Sequence, residues 1–249
     1  MDNTLDSYTP KHDLLAGRVI LITGAGDGLG KAAALRYAEH GATVILLGRT
    51  QGKLEALYDE IVAKGLPEPI IHPMNLHTAT EEEYKVLGDS ILEQFGHLDG
   101  ILHSAAVLGP RTPIQFYAAQ SWMQVMQVNV NAAFLLCKAL LPALQASADA
   151  SIVFTSSSVG RKGRAYWGGY SVSKFAVEGL MQVLADELRQ TSAIRVNSID
   201  PGATRTNMRK EAYPAEDPNT LAGPEERMGL YLYLMGPDSK GITGQALHA

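Results

Sequence analysis

From position 18 onward, short aliphatic runs alternate with segments of helix length, and this alternation restricts the fold more than any other feature of the chain. Arg18-Val19-Ile20-Leu21-Ile22-Thr23 is almost wholly apolar, as a strand buried on both faces must be. Residues 43–47, 69–72, 100–103, 151–155 and 194–199 read as further strands, and residues 245–247 as a short last one. Between them lie helical segments; residues 28–40, for example, end at Gly41, where a terminating glycine is expected. Parallel strands need long crossovers, and right-handed crossovers put the helices on both faces of the sheet. The expectation is a doubly wound α/β fold, with a mostly parallel seven-stranded sheet in three α/β/α layers. The 249 residues suffice for one sizeable core, so a single domain over residues 1–249 is expected.

Composition narrows the function. A net charge of −5 argues against a nucleic-acid or acidic-membrane partner, either of which favours a basic face. The longest acidic run, Glu81-Glu82-Glu83, reads as the solvated first turn of a helix. Cys137 is the only cysteine; it excludes an internal disulfide and, within Phe134-Leu135-Leu136-Cys137, reads as core packing. The seven histidines lack ligand spacing, so no metal is expected. Residues 1–16 form an N-terminal extension, polar over 1–11 and without the apolar core of a signal peptide. The longest apolar stretches are interrupted by Lys138 or Pro142 and fall short of a membrane span. A soluble cytoplasmic protein is the expectation.

The first strand runs into Thr23-Gly24-Ala25-Gly26-Asp27-Gly28-Leu29-Gly30 and then a helix. Glycines allow a sharp turn and close approach of the backbone to a pyrophosphate, while the helix N-terminus offers free N–H groups and a positive dipole end. The spacing is T-G-x-x-x-G-x-G rather than G-x-G-x-x-G. A glycine cluster by itself also makes plain turns; its place after a buried strand and before a helix makes it a Rossmann-type cofactor loop. The second strand ends in Gly48-Arg49, with no carboxylate to hold a ribose 2′-hydroxyl. Arg49 can instead grip a 2′-phosphate bidentately, which favours NADP(H) over NAD(H), although Asp27 within the loop counts against it.

Tyr170 and Lys174 stand at i and i+4 in Tyr170-Ser171-Val172-Ser173-Lys174, on one face of a helix whose apolar stripe includes Phe175, Leu180, Val183, Leu184 and Leu188. A phenol with its ordinary pKa of about 10 is a poor acid–base catalyst at neutral pH. A cation about 4 Å away, at an effective dielectric of about 20, can lower that value by about three units. Such a pair is common on exposed helices, so its weight comes from company. Thirteen residues earlier, Ser156-Ser157-Ser158 closes a buried-type strand, where a hydroxyl can bond a substrate carbonyl; chemistry alone does not choose among the three serines. Within residues 121–144, Trp122, Val125, Met126, Asn129, Ala133 and Leu136 follow helical spacing, which puts the Asn129 amide on an apolar stripe and obliges it to find partners.

Together these motifs resemble the classical short-chain dehydrogenase/reductase family, over nearly the whole chain from Asp13 to about Gln245. The resemblance implies that Tyr170 is the general acid or base, that Lys174 lowers its pKa and binds the nicotinamide ribose, and that Asn129 holds a relay water. It also selects Ser157 to orient the carbonyl. Gly24, Gly26, Asp27, Gly28 and Leu29 would cradle the pyrophosphate. Arg49, Asn75, Leu76 and Ser104 would lie on the adenosine side, and Pro201, Gly202, Thr204 and Thr206 would contact the carboxamide. A homodimer or homotetramer is implied as well. Within the family, "ATVILLGRT" and "PGATRTNMR" resemble the bacterial YciK-type oxidoreductases. The chain departs from the family in His103-Ser104-Ala105-Ala106, where Asn-Asn-Ala-Gly is usual, which puts adenosine-side contacts and local sheet support in question but not the catalysis; it departs also in Asn75, where Asp is usual, although an amide can still donate and accept.

The expected activity is hydride transfer between a nicotinamide and a carbonyl or alcohol, on a small-molecule substrate that the residues do not identify. Residues 203–227, interrupted by Pro214, Pro218, Gly223 and Pro224, read as a lid over the site or as an ordinary surface loop. A dinucleotide-binding regulatory protein would typically have lost the tetrad of Asn129, Ser157, Tyr170 and Lys174. A sugar-nucleotide epimerase would need a larger C-terminal substrate domain.

Overall fold

A computed structural model describes residues 8–249. Residues 1–7, part of the expected N-terminal extension, lie outside the described residues.

Seven strands form one sheet: β1 (Val19–Thr23), β2 (Thr43–Gly48), β3 (Ile70–Pro73), β4 (Gly100–His103), β5 (Ser151–Thr155), β6 (Arg195–Asp200) and β7 (Ala246–His248). Every pairing is parallel, in the order β3-β2-β1-β4-β5-β6-β7. The chain therefore winds outward in one direction from β1, then returns to β4 and winds outward in the other. The reversal between β1 and β4 leaves a crevice at their C-terminal ends, where ligands of open α/β sheets bind. The third, sixth and last strands each sit one residue later than the apolar runs suggested.

Side chains of successive strand residues point to opposite faces. On one face Leu21, Ile45, Ile101, Ile152, Phe154 and Val196 pack against α3 (Glu81–Phe95), α5 (Ala132–Gln145) and α6 (Gly168–Leu188). On the other face Ile20, Ile22, Val44, Leu46, Leu102, Val153 and Ile199 pack against α1 (Gly28–Glu39), α2 (Gln51–Ala63) and α8 (Met228–Met235). Glu81, Glu82 and Glu83 do fill the first turn of α3, where Thr80 and Glu83 form a reciprocal capping box. Cys137 is buried, and burial pushes its thiol up to about 12.

Two expectations about the helix preceding β5 need correction. First, α4 (Ala119–Met126) and α5 are joined by a π-helical stretch, Gln127–Asn131, rather than by uniform α-helix. Second, the whole helix Ala119–Gln145 is 27 residues long and contains an 18-residue window of mean hydropathy 1.4, enough by length and composition to cross a membrane. The interruptions at Lys138 and Pro142 do not break it, because one charge and one proline near the C-terminal end leave the preceding turns intact. Its apolarity is used here: Leu136, Leu140 and Leu144 are fully buried in the core.

Candidate functional site

β1 ends at the crevice, and the loop that follows can turn there only as glycine-rich chain. Gly24 (φ +71°) and Gly28 (φ +50°) occupy the left-handed region. A Cβ on Gly24 would stand 2.9 Å from the Cα of Ala105, and one on Gly30 would collide with the carbonyl oxygen of Gly24. Close packing of this loop against β4 and its own helix thus excludes side chains and leaves the backbone bare toward the crevice, the surface that a pyrophosphate needs. Asp27 caps α1, its Oδ1 accepting from Gly28 N at 2.8 Å. Its Oδ2 accepts from Lys53 Nζ at 2.6 Å and from Asn207 Nδ2 at 3.0 Å. These partners hold the Asp27 carboxyl below the usual range, Lys53 foremost.

A cleft of about 660 Å³ runs over this loop and across the C-terminal ends of the strands. Gly24, Gly26, Asp27, Gly28, Leu29, Arg49, Asn75, Leu76, Ser104, Ser157, Tyr170, Lys174, Pro201, Gly202, Thr204 and Thr206 all line it. Asn129 does not. It lines a separate void of about 10 Å³, shared with Thr23, His103, Thr155 and Lys174, about the measure of one water.

The departure at His103-Ser104-Ala105 is compensated locally. The Thr23 hydroxyl accepts from the backbone N–H of both Ser104 and Ala105 at 3.0 Å, which ties β1 to the loop after β4. His103 stacks on Phe154, ring centroids 4.7 Å apart, with Nε2 3.3 Å from Cys137 Sγ. Burial lowers its pKa to about 3, so the imidazole is neutral. Asn75 Oδ1 accepts from His77 N at 3.2 Å and shapes the turn after β3.

The first turns of α6 carry Tyr170 and Lys174, both buried at the cleft wall, with Lys174 Nζ 5.5 Å from the centroid of the Tyr170 ring. Lys174 Nζ donates to the carbonyl oxygen of Thr155 at 2.6 Å, at the end of β5. Burial lowers the lysine to about 8, against an upward pull from Glu178 one turn further along. The tyrosine behaves differently from the sequence expectation. Burial first, and then the charge of Asp200, raise the phenol above its ordinary value, while a hydrogen bond from Ser157 pulls it down. Desolvation outweighs any relief from Lys174 in the free protein.

Asn129 is fully engaged. Its amide exchanges two hydrogen bonds with the backbone of Val107 (2.8 and 3.0 Å) and donates to Ser173 Oγ at 3.0 Å. Ser173 Oγ in turn donates to the Tyr170 carbonyl at 2.7 Å, so Asn129 reaches α6 through a serine. The hydroxyls of Thr204 and Thr206 are also spoken for: Thr204 donates to the Pro201 carbonyl at 3.1 Å, and Thr206 accepts from Arg209 N at 3.1 Å, capping α7 (Asn207–Ala212).

Trp167, Asp200 and Asn207, from segments that the sequence puts around the site, line the cleft as well, and so do Thr50 and Lys53, which sequence reasoning missed. Lys53 carried a signal, since it lies four residues after Arg49 in the first turn of a helix. Trp167 Nε1 and Ser156 Oγ are buried without a hydrogen-bond partner among the described residues. No group of three His, Cys, Asp or Glu residues able to hold a metal ion occurs among the described residues.

Comparison with known proteins places this geometry in context. The short chain dehydrogenase family profile matches residues 18–217. The chain is 52% identical over 242 residues to the uncharacterized oxidoreductase YciK of Escherichia coli K12, covering 97% of this chain and 95% of that one. A short chain dehydrogenase structure from Pseudomonas syringae has a TM-score of 0.96 at 58% identity, covering 97% and 98% of the two chains. One from Shigella flexneri 2a, complexed with NADP, has a TM-score of 0.93 at 51% identity, covering 96% and 99%.

Proposed function

The chain belongs to the short-chain dehydrogenase family of oxidoreductases, and on that premise we propose that it is NADP(H)-dependent, with Tyr170 as acid–base. The substrate would be a small-molecule carbonyl compound or secondary alcohol. The observation that carries the reading is the joint position of Tyr170 and Lys174 on one cleft wall, in the same cleft as the glycine loop. The dinucleotide, when bound, supplies a hydride to the carbonyl carbon or removes one from the alcohol.

The residues of this chain do the remaining work. In reduction, Tyr170 donates its phenolic proton to the carbonyl oxygen, while the Ser157 hydroxyl donates a hydrogen bond to the same oxygen. A phenol raised above its ordinary value is fully protonated at neutral pH, which suits the reductive direction. In oxidation the phenolate must form, and the Lys174 charge stabilises it across a dry site. The one-water void between Lys174 and Asn129 supports a relay that returns the proton. Arg49, at the mouth of the cleft beyond β2, would hold the 2′-phosphate, in keeping with the NADP bound to the Shigella flexneri relative. Residues 203–227 would act as the lid. Exposed Phe134, Val172, Phe175 and Val183 on α5 and α6 support a homodimer or homotetramer. The single cysteine, a free and buried thiol, suits the reducing compartment of a cytoplasmic enzyme.

Tyr170→Phe tests the assignment. Turnover of a carbonyl panel with NADPH should fall by about 10²–10⁴-fold, the usual range for a lost general acid, with NADPH affinity changed only a few-fold. Retained turnover would remove Tyr170 from the mechanism.

A further inference from the structure

The carboxylate of Asp27 stands in the one loop that should welcome an anion, and its surroundings give it a purpose. Asp27 is the only acidic residue between Thr23 and Gly30, and it lines the cleft. An uncompensated negative charge there would oppose any phosphate-bearing ligand. Lys53 removes that opposition: its stem runs beside the loop, with Cβ 3.1 Å and Cδ 3.6 Å from where a Gly26 side chain would begin, and its Nζ meets Asp27 Oδ2 at 2.6 Å.

Lys53 does not reach the loop from a distant element. It sits in the first turn of α2, directly after Arg49 and Thr50, and all three line the cleft. Neither charge of the pair is sequestered, with side-chain exposures of 52% for Lys53 and 48% for Asp27. The N-terminus of α2 carries no acidic residue in its first turn, and Thr50 makes no side-chain cap bond, so nothing there competes with an incoming anion.

We propose that Lys53 and Asp27 form a charge pair that discriminates between dinucleotides: Lys53 neutralises the loop carboxylate and is the second cation, beside Arg49, for a 2′-phosphate. This rests on the NADP(H) reading above and deepens it. A 2′-phosphate takes one of the three N–H donors of the ammonium while another stays on Asp27 Oδ2, so the loop carboxylate remains neutralised in the complex, with Gly28 N and the Asn207 amide as its further partners. A plain 2′-hydroxyl brings no charge for Lys53 to meet. The carboxylate that counts against NADP(H) on sequence alone is thereby reconciled with it.

The test is the dissociation constant of NADPH and of NADH, by titration calorimetry at fixed ionic strength, for the wild-type protein, Lys53→Gln, Asp27→Asn and the double variant. Both residues are exposed, so folding is checked by thermal melting alone. Lys53→Gln should shift the NADPH-to-NADH ratio of dissociation constants by about two- to fivefold toward NADH, the scale of one exposed ion pair. The double variant should return closer to wild type than to Lys53→Gln, because the bare carboxylate has gone. A smaller shift, or a double variant no better than Lys53→Gln, overturns the pair. A wild type that does not prefer NADPH overturns the cofactor reading, and the pair with it, in the first measurement.

Discussion

At the scale of single residues, this site depends on what glycine lacks. Gly24 combines φ +71° with a neighbouring backbone only 2.9 Å from the position of a Cβ. An alanine there meets both the left-handed penalty, on the order of 1–2 kcal/mol, and a clash with Ala105 that only movement of the loop after β4 relieves. That loop is held by Thr23, so the strain passes into the cofactor cradle. Gly24→Ala should therefore weaken dinucleotide binding by about tenfold or more and lower the melting temperature by about 2–4 °C or more. Calorimetric titration and thermal melting of one preparation check both, and an unchanged dissociation constant would show that the loop does not meet the cofactor. The residue scale is also where reading the sequence reached furthest and failed most plainly. Tyr170, Lys174 and the glycines carry their chemistry in their type and spacing. Asn129 does not: its hydrogen bonds run to Val107 and Ser173, partners set by a π-helical register that helical spacing does not betray. The charge of Asp27 likewise has meaning only once Lys53, 26 residues on, is seen beside it.

At the scale of elements, the strands were legible because burial on both faces forces nearly unbroken apolar runs, and helices α1 and α3 because Gly41 ends the one and Glu81-Glu82-Glu83 opens the other. The 203–227 segment was not, because its short helices are held by contacts made far away in sequence. Arg111 lies between the rings of Trp167 and Tyr213, 4.7 and 4.8 Å from their centroids, and donates to the Ala212 carbonyl. Arg164 Nη1 donates to the Tyr213 hydroxyl at 3.2 Å, and Arg209 stacks on the same ring at 3.9 Å while gripping Glu216 with two bonds of 2.6 Å. Asn207 closes the other end on Asp27. Each exposed cation–π contact is worth about 0.5–1 kcal/mol, so Arg111 alone contributes a sizeable share of the hold on α7. Arg111→Ala should speed amide hydrogen exchange several-fold in residues 207–213 and leave the β-strands unchanged. Equal exchange in both proteins would show that α7 is held by its apolar contacts with Leu108 and Trp167 alone.

At the scale of the whole molecule, the three-layer packing that was expected from strand–helix alternation has an electrostatic consequence that no local motif announces. It buries titratable side chains within its core and cleft wall. Tyr37 on α1 and Tyr231 on α8 meet in the core, the Tyr37 hydroxyl donating to the Tyr231 carbonyl at 3.3 Å, and burial raises both phenols above their ordinary value, as it does Tyr170. A group whose pKa is raised on folding stabilises the protein below its unfolded value and loses that contribution as pH climbs toward the folded one. For these tyrosines the loss begins near pH 10, at between about 1 and 2 kcal/mol per pH unit for each. Cys137, raised to about 12, follows the same rule from its ordinary value of 9.0. Lys174 has the opposite sign: lowered from 10.5 to about 8, its contribution is full above 10.5 and is lost as pH falls through 8, so stability rises across that window. One rising and one falling group nearly cancel between pH 9 and 10, whereas above 10.5 the lysine has nothing further to give and these tyrosines act together with the thiol and with Tyr84, which burial pushes up to about 12. Urea unfolding should therefore give a nearly level free energy from pH 9 to 10 and a fall of several kcal/mol between pH 10 and 11.5. The share of tyrosinate absorbance that Tyr37→Phe and Tyr231→Phe remove should appear only on unfolding, whereas exposed tyrosines such as Tyr166 meet water in either state. A gentle, uniform decline across the range, or that share of tyrosinate forming in the folded protein near pH 10, would mean that the buried phenols are reached by water and that the two sides of the sheet are not sealed as described.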